Sequence, residues 1–171
     1  MDETGFQRRP DKGKKIKICF IHKGSKVKPF YCADTDIHQV SVAMAITGEG
    51  KYLKPFAIST RKTLDKDAES TFIPNFFEFC QTKKGYQTEF SMEEWVDSVL
   101  IPYVNKRRED TIHDSPVVLV MDGLSSHFSE EVLQKLEKIK PYFLIALPPH
   151  SSHISQPLDS ECFANLKSKY K

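Results

Sequence analysis

The sequence predicts an α/β domain with a mixed sheet, antiparallel in its first half and parallel in its second, flanked by helices. Three observations carry this prediction. Short apolar runs separated by turn signals fill the first half. From Ser91 onward the apolar spacing becomes that of a helix. Two unbroken apolar runs, Val117–Met121 and Tyr142–Leu147, then bracket a capped amphipathic segment. At 171 residues, 39% hydrophobic and with twelve Phe, the chain suits one domain, residues 1–171, with one continuous core.

Taken in order, KIKICFIH (Lys15–His22), VSVAMAIT (Val40–Thr47) and FAIS (Phe56–Ser59) read as strands. Thr47-Gly48-Glu49-Gly50 suits a tight connection between antiparallel neighbours. Arg61–Lys84 is charged and irregular, and its Phe72, Phe76, Phe77 and Phe79 are expected to pack on the sheet as a short helix or covering loop. Ser91 and Glu94 have capping-box spacing, with Trp95, Val99, Leu100 and Val104 on one face of a helix of about five turns ending near Arg108. Pro102 should kink or divide it. Val117–Met121 shows no alternation, as a strand covered on both faces would. Ser129 is placed to cap a helix with Glu130 and Glu131 at its positive end and an apolar stripe of Val132, Leu133, Leu136 and Ile139. Strand, helix and strand make a βαβ unit, hence parallel pairing by a right-handed crossover. Asp159–Lys171 closes the chain with Phe163, Leu166 and Tyr170 at helical spacing. Antiparallel strands followed by a βαβ unit is the order of a ribonuclease-H-like fold.

The composition narrows the class of function. No stretch approaches the roughly 18 apolar residues of a membrane helix. MDETGFQRRPDKGKK lacks the apolar core of a secretory signal, so the protein is expected inside the cell. Cys19, Cys32, Cys80 and Cys162 are scattered, as reduced, mostly buried thiols would be. The net charge is only +2, from 25 basic and 23 acidic residues, so any nucleic-acid contact must come from local patches. Lys12–Lys17, Arg61–Lys62, Lys106–Arg108 and Lys167–Lys171 are such patches, although each taken alone reads as a solvated face.

Two carboxylates stand where an open sheet collects ligands. Asp122 follows a strand directly, and Gly123 would let the backbone turn sharply behind it; the competing reading is a plain Asp-Gly turn. Asp159 ends the proline-bounded loop Leu147-Pro-Pro-His-Ser-Ser-His-Ile-Ser-Gln-Pro-Leu, where it has the position of an ordinary helix N-cap. His127, His150 and His153 suggest a rival zinc site, which the proline-flanked loop disfavours because it breaks helical register.

Asp2-Glu3-Thr4-Gly5-Phe6, VLVMDGLSSH (Val118–His127) and PPHSSHISQPLD with Lys167 and Tyr170 occur in order, with 36 residues between Asp122 and Asp159. Together they resemble the three catalytic motifs of pogo/Tigger-type DDE transposases, and Gly85–Trp95 is also similar to the family. The resemblance implies that Asp2, Asp122 and Asp159 correspond to the catalytic, metal-binding triad, with Glu3 and Glu161 as second-choice ligands. It implies two divalent ions, Mg²⁺ or Mn²⁺, and no small-molecule cofactor. It further implies DNA as partner, both transposon ends and target, a nuclear location, and a homodimer as an open option. Family members carry a helix-turn-helix domain ahead of this region, and none is present in the sequence. In the fold the first acid ends the first strand, so with only Met1 ahead of Asp2 most of that strand is expected to be absent, and the domain incomplete at both ends. A catalytically inactive, transposase-derived nucleic-acid-associated protein is the alternative.

Overall fold

The computed structural model describes residues 1–7, 39–60, 76–110, 115–149, 151 and 155–169, without the side chains of residues 160 and 161. Strands β1 (Asp2–Gln7), β2 (Gln39–Met44), β3 (Phe56–Ser59) and β4 (Glu78–Gln81) form one sheet in that order. β1 and β2 are antiparallel from Asp2↔Met44 to Gln7↔Gln39, and β2 and β3 are antiparallel from Val40↔Ser59 to Ala43↔Phe56. β3 and β4 are parallel. A second sheet joins β5 (Val117–Met121) and β6 (Tyr142–Ala146) in parallel, with Leu147 N–H donating to Met121 O at 2.8 Å beyond the last rung. The Met1 amino group donates to Val120 O at 3.0 Å, which brings the start of β1 against the middle of β5.

This architecture is mixed α/β, and it corrects several expectations. Asp2–Gln7, which no local signal marks as a strand, forms β1, and all six of its residues pair with β2. Glu78–Gln81 is a strand and not a helix or loop, because the free edge of β3 offers it backbone partners. The Lys15–His22 strand, Phe72, Cys19 and Cys32 lie outside the described residues. The connection after β2 forms as expected: Gly50 N–H bonds Thr47 O at 2.9 Å, and Gly50 takes φ +78°.

The long helix begins at α1 (Glu89–Trp95), capped by Thr88. Ser91 is the reciprocal partner of that cap: its N–H bonds Thr88 Oγ1, and its Oγ accepts from Thr88 N–H at 2.8 Å. Val96–Leu100 then forms a wider π-helical turn before α2 (Ile101–Asp110). Its place just ahead of Pro102 fits a ring that can neither donate nor tolerate the regular i−4 carbonyl. Ser129 caps α3 (Glu130–Leu136) by accepting from Val132 N–H.

The core is the space enclosed by these pieces. Ala43, Phe56, Ile58 and Cys80 from the first sheet, Leu119 and Met121 from β5, Met92, Trp95 and Val96 from the long helix, and Val132, Leu136 and Ile139 from α3 and the turn after it are all buried. Leu133, expected in the stripe, lies at its exposed margin. Among the described residues β5 and β6 are covered on one face only: Val118 is 57% exposed and Phe143 60%, with Val120 and Ile145 beside them. The unbroken apolar runs thus conceal an ordinary strand alternation. Arg108 is committed to structure, donating to the carbonyls of Ile139 at 2.8 Å and Ser115 at 3.1 Å, and Arg107 pairs with Glu49 at 2.6 Å. Two of the three cations in the Lys106–Arg108 patch therefore already have partners.

Candidate functional site

Asp2 opens β1, Asp122 follows β5 and Asp159 lies in the last helical segment, and Asp2 is within reach of the charge of the other two. Asp2 is buried by its position between β2 and β5, with only 6% of its surface exposed. Its Oδ1 accepts Glu3 N–H at 2.8 Å, and among the described residues its Oδ2 has no hydrogen-bond partner. Loss of hydration, reinforced by the negative charge of Asp159 and then Asp122, pushes its pKa up to about 7 against the opposing N–H from Glu3 and the charge of the chain's amino terminus. Asp2 therefore feels both other acids.

Asp122 leaves the end of β5 into a turn that its own side chain holds, Oδ1 accepting from Leu124 N–H at 3.3 Å. Gly123 is not needed for this turn. It has no left-handed φ, and a Cβ there would meet Leu147 O at an ordinary 3.8 Å. The one-turn 3₁₀ helix Ser125–His127 then returns His127 beneath the carboxylate. The imidazole is 2% exposed, and its Nδ1 lies 2.8 Å from Asp122 Oδ1, off the line of an ideal hydrogen bond. Burial lowers the His127 pKa, and Asp122 works against that shift.

Asp159 is exposed and lies inside a π-helical turn, Leu158–Cys162, that leads into α4 (Phe163–Lys169). That turn follows Pro157, so Asp159 is not its N-cap. Tyr52 Oη, 3.1 Å from Cys162 Sγ, ties the turn to the first sheet. Cys80 and Cys162 are free thiols, and burial raises the pKa of Cys80.

Of the second-choice acids, Glu3 points to the opposite sheet face from Asp2 and accepts Gln87 N–H at 3.2 Å; the side chain of Glu161 is outside the described residues. His150 and His153 are outside them too, so of the zinc rival only His127 is in view, buried against Asp122. Among the described residues, no three His, Cys, Asp or Glu side chains stand together as a ready metal site. The donor chemistry nevertheless suits a hard divalent cation: carboxylate oxygens, one of them buried without a partner, on acids that repel each other until positive charge joins them. The sequence reading did not pair His127 with Asp122, nor foresee the buried, unpartnered Ser126 Oγ and Gln156 Nε2. Only the crowding of polar residues beside both acids hinted at them.

The DDE superfamily endonuclease model matches residues 11–171. The chain belongs to that family. The matched span contains Asp122 and Asp159 and begins after Asp2. The chain is also 28% identical over 131 residues to the MFS-type transporter clz9 of Cochliobolus lunatus, an alignment covering 77% of this chain but 14% of that protein. Among the described residues no helix is long and apolar enough to cross a membrane. No solved structure matches the chain.

Proposed function

We propose that this DDE-family chain is the catalytic core of a pogo/Tigger-type transposase on a ribonuclease-H-like fold, a metal-dependent DNA endonuclease and strand transferase with Asp2, Asp122 and Asp159 as its acids. One observation carries the reading: Asp2 is a carboxylate whose burial first, and then the negative charges of Asp159 and Asp122 on two other segments, raise its pKa to about 7. Such an arrangement works against folding unless a ligand compensates it.

When bound, a pair of Mg²⁺ or Mn²⁺ ions supplies the positive charge that activates a water or 3′-hydroxyl and stabilises the leaving oxyanion. Asp2, Asp122 and Asp159 would hold them, Asp2 from a rigid strand and Asp122 from a turn tied by its own Oδ1. No covalent enzyme intermediate is required. Lys167 and Lys169 lie exposed on α4, just beyond Asp159, and suit phosphate contacts. The partners are DNA, both transposon ends and target, with a second copy of the chain as an option, and the place of action is the nucleus.

A second reading, a nucleic-acid-associated protein without catalysis, is favoured by the lack of a ready ligand cluster among the described residues. One assay separates the two: the purified chain with Mg²⁺ or Mn²⁺ and labelled DNA, beside an Asp122→Asn control. The enzyme reading expects cleavage that the substitution removes. No cleavage, or cleavage that survives Asp122→Asn, rejects it.

A further inference from the structure

We propose that the groove ahead of Met1 is the seat of an extended apolar peptide strand that runs into β1, antiparallel to β2 on one side and parallel to β5 on the other, joining the two sheets into one. The backbone on both sides is laid out for it. Past Met44 the chain of β2 continues to Thr47, where Leu53 N–H bonds Ala45 O at 2.9 Å and Thr47 N–H bonds Lys51 O at 2.8 Å, both on the side away from β1. Strand alternation turns the N–H and C=O of Ile46 to the other side, into the groove. β5 has the same arrangement. Val117 N–H bonds Pro141 O at 3.0 Å and Met121 O accepts from Leu147 N–H at 2.8 Å, both toward β6, so Val118 and Val120 face the opposite edge. The bond from the Met1 amino group to Val120 O lies on that edge, in line with β1. Among the described residues, no hydrogen bond reaches Ile46 N–H or C=O, Val118 N–H or C=O, or Val120 N–H.

The register follows from bonds already made. Asp2 pairs with Met44, so a residue directly ahead of Met1 falls opposite Ile46 and can exchange both bonds with it. The next residue back repeats the step from Met1 along β5, its N–H reaching Val118 O and its C=O accepting Val120 N–H. Unpaired edges of this kind are what strand addition uses. The groove between them measures about 600 Å³, far more than the water-sized voids a packed interior tolerates, so it is a seat and not a packing flaw. Its remaining walls are apolar, with Leu53, Trp95, Leu100 and Val104 from the core and Pro157 and Leu158 from the segment before α4. A strand apolar on both faces fits such walls, whereas a polar one would leave its side chains dry without partners.

The test joins short peptides directly ahead of Met1 in the full chain and reads the melting temperature by circular dichroism and the exchange of the Ile46 and Val120 amide hydrogens by NMR. Val-Ile-Val-Val should raise the melting temperature by roughly 5 °C or more and slow both amides at least about tenfold relative to Gly-Ser-Gly-Ser. Val-Ile-Pro-Val, which puts a residue without an N–H opposite Val118 O, should lose most of that gain. Equal melting and equal exchange in the Val-Ile-Val-Val and Gly-Ser-Gly-Ser chains overturn the proposal, and so does a gain that the proline leaves intact. Should the apolar extension make the chain insoluble, acetyl-Val-Ile-Val-Val added to the unextended chain decides: slower exchange at both amides supports the seat, and unchanged exchange overturns it. Both amides already slow in an unextended chain that light scattering shows to be a dimer would mean that a second copy fills the groove, which also overturns the proposal.

Discussion

Beneath α1, the side chains of Trp95, Met92, Phe56 and Ile58 are enclosed almost completely by other apolar groups. At the meeting of β1, β5 and the turn before α4, the buried atoms Asp2 Oδ2, Ser126 Oγ, both ring nitrogens of His127 and Gln156 Nε2 have no hydrogen-bond partner among the described residues. The first region conforms to ordinary packing, its main exception being the unpartnered Trp95 Nε1. The second accepts several desolvated polar atoms, each of the kind that costs about 1–3 kcal/mol when left unbonded. Polar atoms held dry without partners, beside acids that repel, mark a surface arranged for something other than stability. One region supplies the folding energy, and the other is held in place by it.

This contrast can be broken from either side. Trp95→Ala should do the most damage, destabilising the chain by about 3–5 kcal/mol, measured by urea denaturation, because it opens a cavity at the contact of α1 with the first sheet. A loss below about 1 kcal/mol would mean that the core does not centre on this residue. The acid site should respond with the opposite sign. Asp2 has its pKa raised to about 7 from the ordinary 3.8, so the folded state holds this proton more tightly than the unfolded chain does. The stability associated with it is fully present below about pH 4 and is lost as pH rises through about 7. Asp2→Asn, which mimics the protonated acid, should therefore melt higher than wild type at pH 8 and lose the slope between those values. A variant that melts lower at pH 8 would show that ionised Asp2 is stabilising.

Much of this was legible in the sequence, and the misses share a cause. β3 and α3 were readable because local signals agree: FAIS is a compact apolar run, and Ser129 stands directly ahead of acids and an apolar stripe. β1 was not, since Asp-Glu-Thr-Gly-Phe-Gln has little strand propensity of its own and is held by pairing with β2. β4 likewise exists because β3 leaves an edge free. The helix start was misplaced by three residues because Thr88 and Ser91 are both good caps, and the two cooperate. At the site, Asp122 was legible from its strand exit. Asp159 and Asp2 could be found only from motifs, because nothing local to Asp2 reports that β2 and β5 enclose it. The same holds for His127, whose partner lies across a turn and whose burial comes from the surrounding core.

The central claim is that Asp2 is a buried acid within the field of Asp159 and Asp122, and its pKa tests that most directly. Carboxyl-carbon NMR of the labelled chain without divalent ions, in wild type and in Asp159→Asn, would measure it. Titration of Asp2 near pH 7 in wild type, with a lower midpoint in Asp159→Asn, is the expected result. An Asp2 that titrates near the ordinary 3.8 in wild type, or whose midpoint ignores Asp159, would contradict the account.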